Sequence, residues 1–120
     1  MNEKVETLII GGGQAGLAMS EHLSKRGASH LIVERSRIAE NWRSARWDSL
    51  VANGPAWHDR FPSLDFPDLD PNSFAPRDRI VEYFETFAEQ IKAPIRCGVT
   101  VKSARRKDDA VAFSLRLLKA

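Results

Sequence analysis

The sequence lacks cysteine pairs, long apolar runs and a marked excess of charge. Its one cysteine, Cys97, excludes an internal disulfide and a C-x-x-C redox pair. No run approaches the roughly 20 apolar residues that cross a bilayer, and no apolar signal-peptide core follows the N-terminus. Lys and Arg number 18 against 16 Asp and Glu, a net charge of +2 that is too balanced to indicate a nucleic-acid partner. These absences predict a cytoplasmic protein without a membrane or nucleic-acid partner.

Residue patterns of metal sites and of hydrolases are also missing. The histidines His22, His30 and His58 lack metal-ligand spacing with Cys97. No order of Ser, His and Asp suggests nucleophilic hydrolysis. We therefore predict no metal site and no hydrolase.

The first apolar run, from Val5 to Ile10, leads directly into a glycine motif. The motif, Gly11-Gly12-Gly13-Gln14-Ala15-Gly16, has the G-x-G-x-x-G pattern. In this pattern Gly11 permits a tight turn, Gly13 lets the backbone approach a pyrophosphate, and Gly16 lets a helix pack closely on the strand. The helix that follows directs its N-terminal amides at the phosphate charge. A plain βαβ unit without ligand is the alternative, but it leaves three consecutive glycines unexplained, given the entropy that each loses on folding.

The next segments complete a βαβ unit. We predict a helix from Gln14 to Arg26, ended by a left-handed Gly27, and a strand from His30 to Glu34 parallel to the first. Glu34, at the tip of this strand, is placed to accept hydrogen bonds from a ribose. The predicted one-sided face of the helix consists of Ala15, Ala18, Met19, His22, Leu23 and Arg26.

The stretch from 36 to 76 has no sustained period, yet it holds five of the six prolines and all three tryptophans. Its aromatic residues argue against disorder, and loops of this length are usually functional. We predict an ordered wrap over a ligand; the alternative is a loop that packs its aromatics on the sheet.

A second helix and a hairpin are predicted for the remainder. The helix follows Pro76, has Asp78 near its start and is closed by Pro94. Its predicted buried stripe is Ile80, Phe84, Phe87, Ala88 and Ile91. Alternation at Val99 and Val101, a turn at Lys107-Asp108-Asp109, and alternation from Val111 to Leu117 predict an antiparallel hairpin. The predicted fold is α/β, a Rossmann-like βαβ unit with a helix and an antiparallel hairpin.

Several motifs together resemble the flavin-containing monooxygenases, above all the bacterial members and the plant YUCCA-type enzymes. The resemblance starts at the glycine motif and Glu34-Arg35, and continues at Asn53-Gly54-Pro55, in the second helix and around Val101. The glycine motif is shared by many flavoproteins. The pair Asn41-Trp42-Arg43 and Arg46-Trp47-Asp48-Ser49-Leu50 is much more specific to this family.

The resemblance implies FAD, not NAD, in this first site, with NADPH as the second cofactor of the family. It places the pyrophosphate at the glycine loop, the adenosine ribose at Glu34, and the adenine beside Arg35 and the backbone of Val101. It places Asn41-Trp42-Arg43 along the flavin half of the cofactor. Asn53 is implied as the catalytic residue, beside the isoalloxazine ring, where it helps position NADP and oxygen. The implied cofactor-binding residues are Gly11, Gly13, Gln14, Ala15, Gly16, Glu34, Arg35, Asn41, Trp42, Arg43 and Val101.

The sequence departs from the family after the glycine motif. Only Gly27, Gly54 and Gly98 follow, and they cannot form a second G-x-G-x-x-G. We therefore predict that residues 1–120 are a partial FAD-binding domain without the NADPH-binding domain, inactive alone, with a missing C-terminal half or another chain as partner. A stand-alone dinucleotide-binding module or subunit is the alternative. A flavoprotein reductase or dehydrogenase is disfavoured, because a disulfide reductase needs paired cysteines.

Overall fold

The computed structural model describes residues 4–44, 47, 49–106 and 113–119. They form two compact units, Met1–Arg37 with Ala93–Ala120 (unit 1) and Ile38–Lys92 (unit 2). The elements in chain order are β1 Thr7–Ile10, α1 Gln14–Lys25, β2 His30–Glu34, α2 Glu40–Ser44, α3 Arg77–Gln90, β3 Ile95–Cys97, β4 Val99–Arg106 and β5 Phe113–Lys119. The predicted α/β class is confirmed.

A parallel sheet with the order β1-β2-β3 forms the centre of unit 1. β1 and β2 pair in register from Thr7 beside His30 to Ile10 beside Val33, and β2 and β3 end with Glu34 beside Cys97. The predicted βαβ connection and the bounds of β2 are confirmed. β3 was not predicted, because three residues are too few to show a period.

Helix α1 ends as its glycine predicts. Gly27 has φ +68, its N–H donates to Ser24 O at 3.1 Å, and the Ala28 N–H donates to Leu23 O at 3.0 Å. This is the Schellman arrangement, which satisfies carbonyls that the helix end would leave open.

The predicted face of α1 is wrong. Its buried residues are Gly16, Leu17, Ser20 and Glu21, whereas Met19 is 50% exposed. Small residues let this side of the helix approach the sheet closely, which apolar periodicity does not reveal. Ser20 also fixes α1 on the sheet, because its Oγ hydrogen-bonds His30 Nε2 at 2.7 Å at the start of β2.

Strands β4 and β5 form the predicted antiparallel hairpin. The register runs from Val99 beside Lys119 to Arg106 beside Phe113, with an irregularity between Val101 and Ser103. The predicted turn at 107–109 and the alternating position Val111 lie outside the described residues.

Unit 2 is organised by α3. Ile80, Phe84, Phe87 and Ala88 of the predicted stripe are buried, and Ile91 is half-buried; Val81 and Tyr83 are also buried. The segment predicted as a wrap without regular structure contains the short helix α2, which contacts α3.

Two phenylalanines of that segment pack on α3. The ring of Phe61 stacks on Phe87 at 3.8 Å between centroids, and Phe66 stacks on Tyr83 at 4.0 Å. The Tyr83 hydroxyl accepts the Phe61 N–H at 2.6 Å and donates to Leu64 O. Burial raises the pKa of Tyr83, so the hydroxyl keeps its proton for this bond.

An ion pair at the surface also attaches this segment to α3. Arg79 Nε and Nη2 donate to Asp68 Oδ2 and Oδ1 at 2.7 and 2.6 Å, and the guanidinium lies 5.2 Å from the ring centroid of Phe66. These hydrogen bonds from Arg79 lower the pKa of Asp68.

Candidate functional site

The turn after β1 brings the first and third motif glycines together. Gly11 has φ +108, a backbone conformation that favours glycine. A Cβ atom at Gly16 would overlap the carbonyl oxygen of Gly11 and lie 3.3 Å from Ile9 Cγ2. Helix α1 therefore begins directly against the end of β1.

Gly13 borders open space at the start of α1. Within the part of the chain that the structure describes, a Cβ atom there would meet no heavy atom within 4 Å apart from those of its own neighbouring residues. Gly13 caps α1 in an extended conformation, φ −88 and ψ −162, without a side-chain cap, and the first turn has no acidic residue. Gln14 and Ala15 are exposed. Since first-turn amides have no partner within the helix and carry partial positive charge, this turn is suited to hold a phosphate.

Glu34 closes the turn from the end of β2. Its Oε1 accepts the Gly12 N–H at 2.9 Å, and its Oε2 accepts the Ser36 N–H at 2.7 Å. A Cβ atom at Gly12 would lie 2.6 Å from Ile95 Cδ1 and 3.4 Å from Glu34 Cβ. The absence of a side chain at Gly12 therefore lets the turn lie close to Glu34 of β2 and Ile95 of β3. Each carboxylate oxygen has a further lone pair, so Glu34 can still accept ribose hydroxyls.

The other residues implied for adenosine belong to the same unit. Arg35 is exposed directly after β2, and Val101 is half-buried in β4, a strand that contacts β2. Cys97, the exposed cysteine, lies beside Glu34 in the parallel register. Unit 1 therefore contains the glycine turn, the ribose candidate and both adenine candidates.

The residues implied for the flavin half belong to unit 2. Asn41, Trp42 and Arg43 lie in α2, where Asn41 is exposed and the other two are half-buried. Arg43 Nη2 lies 2.8 Å from Glu85 Oε1 of α3, and its Nε donates to Ile38 O at 3.1 Å. The guanidinium therefore fixes α2 on α3, a role that the sequence pattern did not predict.

Asn53, the implied catalytic residue, is exposed in a loop that Asp59 holds. Asp59 Oδ2 accepts the Gly54 N–H at 2.7 Å, and a Cβ atom at Gly54 would overlap the same carboxylate. Asp59 Oδ1 lies 2.8 Å from His58 Nδ1. Glycine after Asn53 is thus required by the approach of Asp59.

Sequence reasoning missed Gly12, Ser36 and Asp59. Gly12 occupies a position of the motif where any residue is allowed. The run of three consecutive glycines was the one sign in the sequence that this position is special. Ser36 contributes a backbone N–H, so its residue type carries no information. Asp59 holds its loop through contacts for which no spacing rule exists.

Comparison with known proteins identifies the cofactor. Residues 4–46 match the family described as FAD binding domain. The chain is 36% identical over 110 residues to an uncharacterized CzcO-like oxidoreductase of Geobacillus kaustophilus, covering 91% of this chain and 31% of that protein. It is 38% identical over 98 residues to the probable indole-3-pyruvate monooxygenase YUCCA1 of Arabidopsis thaliana, covering 81% and 23%. Residues 4–46 therefore match an FAD-binding domain, and the chain is similar to flavin monooxygenases and related oxidoreductases.

Solved structures agree on the fold of this FAD-binding domain. A flavin-containing monooxygenase from Stenotrophomonas maltophilia superposes with a TM-score of 0.80 at 22% identity, over 98% of this chain and 34% of that one. The bacillithiol disulfide reductase of Bacillus cereus gives 0.87 at 20% identity, over 98% and 35%. The chain thus spans about a third or less of the relatives and structures that it matches. Within the described residues, no helix is long and apolar enough to cross a membrane.

Proposed function

We propose that this domain binds the adenosine diphosphate half of FAD in unit 1, with the pyrophosphate at the glycine turn and the ribose at Glu34. The open space at Gly13, beside the first turn of α1, carries this proposal, since among the described residues no heavy atom outside its own stretch of chain lies within 4 Å of a Cβ atom there. Glu34 retains one lone pair on each carboxylate oxygen for ribose hydroxyls. The residues present therefore fit this half of the cofactor, with Arg35 and Val101 as adenine neighbours.

For the flavin half, we extend the proposal to unit 2. The resemblance assigns Asn41, Trp42 and Arg43 to the flavin half and Asn53 to the ring. Arg43 is already held by Glu85, and the loop of Asn53 is already held by Asp59. Segments fixed before a ligand arrives lose less entropy on binding, which supports both assignments.

As the reaction we propose NAD(P)H-dependent monooxygenation. The name of the Arabidopsis relative, 38% identical, and the Asn-Trp-Arg segment support this class. When bound, FAD supplies hydride acceptance and oxygen activation. This chain would contribute binding, orientation and, through its aromatic segment, exclusion of water. Another segment or chain would then hold the nicotinamide cofactor, and we place the activity in the cytoplasm.

Disulfide reduction is not favoured as an alternative reaction. The bacillithiol disulfide reductase shares the fold at 20% identity. A disulfide reductase that cycles through paired cysteines needs two thiols, and this sequence has only Cys97.

Titration with FAD tests the site. The unsubstituted chain should bind FAD, and alkylation of Cys97 should slow at saturation, because Cys97 lies beside Glu34. Gly13→Val should fold normally, since the space around Gly13 is open, but should lose measurable FAD binding because its side chain occupies the path of the pyrophosphate. Ser24→Val, at the exposed far end of α1, is the matched control and should bind FAD normally.

The outcomes separate function from location. No binding of FAD to the unsubstituted chain would reject the function. Equal affinity in Gly13→Val would reject the pyrophosphate location. Binding that leaves the alkylation rate of Cys97 unchanged would reject the adenosine location.

A further inference from the structure

The Glu34 carboxylate connects the two backbone segments that border the proposed adenosine site. One oxygen accepts from Gly12, inside the glycine turn, at 2.9 Å, and the other accepts from Ser36, beyond β2, at 2.7 Å. Both bonds run from a neutral backbone donor to an ionised acceptor, a class stronger than the neutral amide bond. A side chain with a single acceptor oxygen cannot make this bridge.

The glycine turn needs such a restraint. Three consecutive glycines have more backbone freedom than any other tripeptide, and ordering them lowers entropy accordingly. Gly11 is held by its N–H bond to Val33 O at 2.8 Å, and Gly13 accepts the first helical bond of α1 from the Leu17 N–H at 3.0 Å. Gly12 lies between these two anchors, and the Glu34 carboxylate holds its N–H.

Gly12 is closely packed at the point where it bonds to Glu34. A Cβ atom would approach Ile95 Cδ1 to 2.6 Å and Glu34 Cβ to 3.4 Å. The turn is therefore packed against β3 on the side where the carboxylate reaches it.

We propose that Glu34 is a positioning residue for the glycine turn, in addition to the ribose contact on which the proposed function rests. The carboxylate holds the turn in its phosphate-binding conformation before the ligand arrives, so that binding does not have to order the glycines. Glu34 therefore contributes to the affinity for the pyrophosphate as well as for the ribose. A ligand without ribose hydroxyls should still depend on Glu34.

The charge of Glu34 and its positioning role change the affinity for phosphate in opposite directions. Removing the negative charge of Glu34 lessens its repulsion of the ligand phosphates, which would strengthen binding. Gln at this position keeps one acceptor oxygen, and its NH2 group would face one of the two backbone N–H donors. Weaker phosphate binding in Glu34→Gln must therefore come from loss of the bridge.

The test compares ADP with 2′,3′-dideoxy-ADP, which lacks both ribose hydroxyls, by calorimetric titration. Glu34→Gln should bind dideoxy-ADP about tenfold or more weakly than the unsubstituted chain, the usual scale for loss of one charged hydrogen bond. ADP should lose that factor and a further one for the ribose contact. Glu6→Gln, an exposed acid before β1, makes the same charge change as a matched control and should bind both ligands normally.

A second variant preserves the charge. Glu34→Asp is one methylene shorter and cannot reach Gly12 and Ser36 together, so it should also weaken dideoxy-ADP; circular dichroism verifies the fold of each variant. Equal dideoxy-ADP affinity in the unsubstituted chain and the folded variants would overturn the positioning role. If ADP alone then loses affinity, the ribose contact and the proposed function remain. No binding of ADP or FAD to the unsubstituted chain would instead reject the proposed function itself.

Discussion

At the scale of single residues, two glycines of one turn have opposite surroundings. A Cβ atom at Gly13 meets open space, whereas one at Gly16 overlaps the carbonyl oxygen of Gly11. Gly16→Ala should therefore lower the free energy of unfolding by about 1–3 kcal/mol, the usual effect of overpacking. Gly13→Ala should change it by less than about 0.5 kcal/mol, as at an open surface position. Urea unfolding of both variants measures the difference.

The Gly13 variant is the control for glycine content, since both changes remove one glycine from the same turn. Gly16→Ala as stable as the unsubstituted chain would mean that α1 does not start against the end of β1. The position of the motif on the strand would then be wrong.

At the scale of elements, segments with their own period were predictable. The bounds of β2, the glycine end of α1 and the hairpin follow from local patterns and agree with the structure. β3 and α2 are too short to show a period, and they are stabilised by neighbours distant in sequence. The face of α1 was mispredicted because Gly16 and Ser20 pack on the sheet through small size, not through hydrophobicity.

Some parts of the candidate site could be predicted from the sequence and others could not. The motif and Glu34 were recognisable because their spacing has a mechanical reason. Glu34 accepts hydrogen bonds from the backbone N–H groups of Gly12 and Ser36, and Asp59 accepts one from that of Gly54. Since the donors are backbone groups, the residue types at these positions do not predict the bonds. The ion pair of Arg43 with Glu85 joins residues far apart in sequence, which a single sequence does not reveal.

The Arg79–Asp68 pair gives the attachment of the 61–70 segment to α3 a pH dependence. The hydrogen bonds from Arg79 hold the pKa of Asp68 below its ordinary value. A lowered folded-state pKa stabilises the fold above the unfolded pKa, and this contribution is lost as pH falls through the folded pKa. The unsubstituted chain should therefore unfold at a higher temperature than Asp68→Asn at neutral pH.

Acidification should remove that advantage. From about pH 4 downward, the thermal midpoints of the two proteins should converge, because Asp68 becomes protonated and the pair is lost. The exposed Asp68 side chain makes the difference sensitive to salt as well. A difference in midpoint that stays constant from neutral to acid pH would contradict an ionic role for this pair.

At the scale of the whole molecule, the sequence carries one nucleotide fingerprint. After Gly16 the remaining glycines of these 120 residues stand alone, and we predict that residues 1–120 do not by themselves hold NADPH against a flavin. Proximity supplies much of the acceleration of such a transfer. The chain saturated with FAD should therefore oxidise NADPH no faster than free FAD and should form no product from a test amine, sulfide or keto acid.

Chemical reduction provides the matching control, because dithionite reduces the bound flavin without a nicotinamide site. Once excess dithionite has been removed, return of the visible absorbance of oxidised flavin on exposure to air shows that the flavin passes its electrons to oxygen. Coupled product formation from NADPH by the 120-residue chain would show that it is catalytically complete.

The edge position of β1 in its sheet has a consequence for amide hydrogen exchange. Thr7 and Gly11 donate to Ser29 O and Val33 O, so in a parallel ladder the N–H groups of Leu8 and Ile10 point away from β2. Within the described chain, adjacent amides of one strand should then exchange at alternating slow and fast rates. A strand that adds to this edge would slow the fast set alone. The exchange rates at Leu8 and Ile10 therefore report directly whether the open edge of the sheet is occupied.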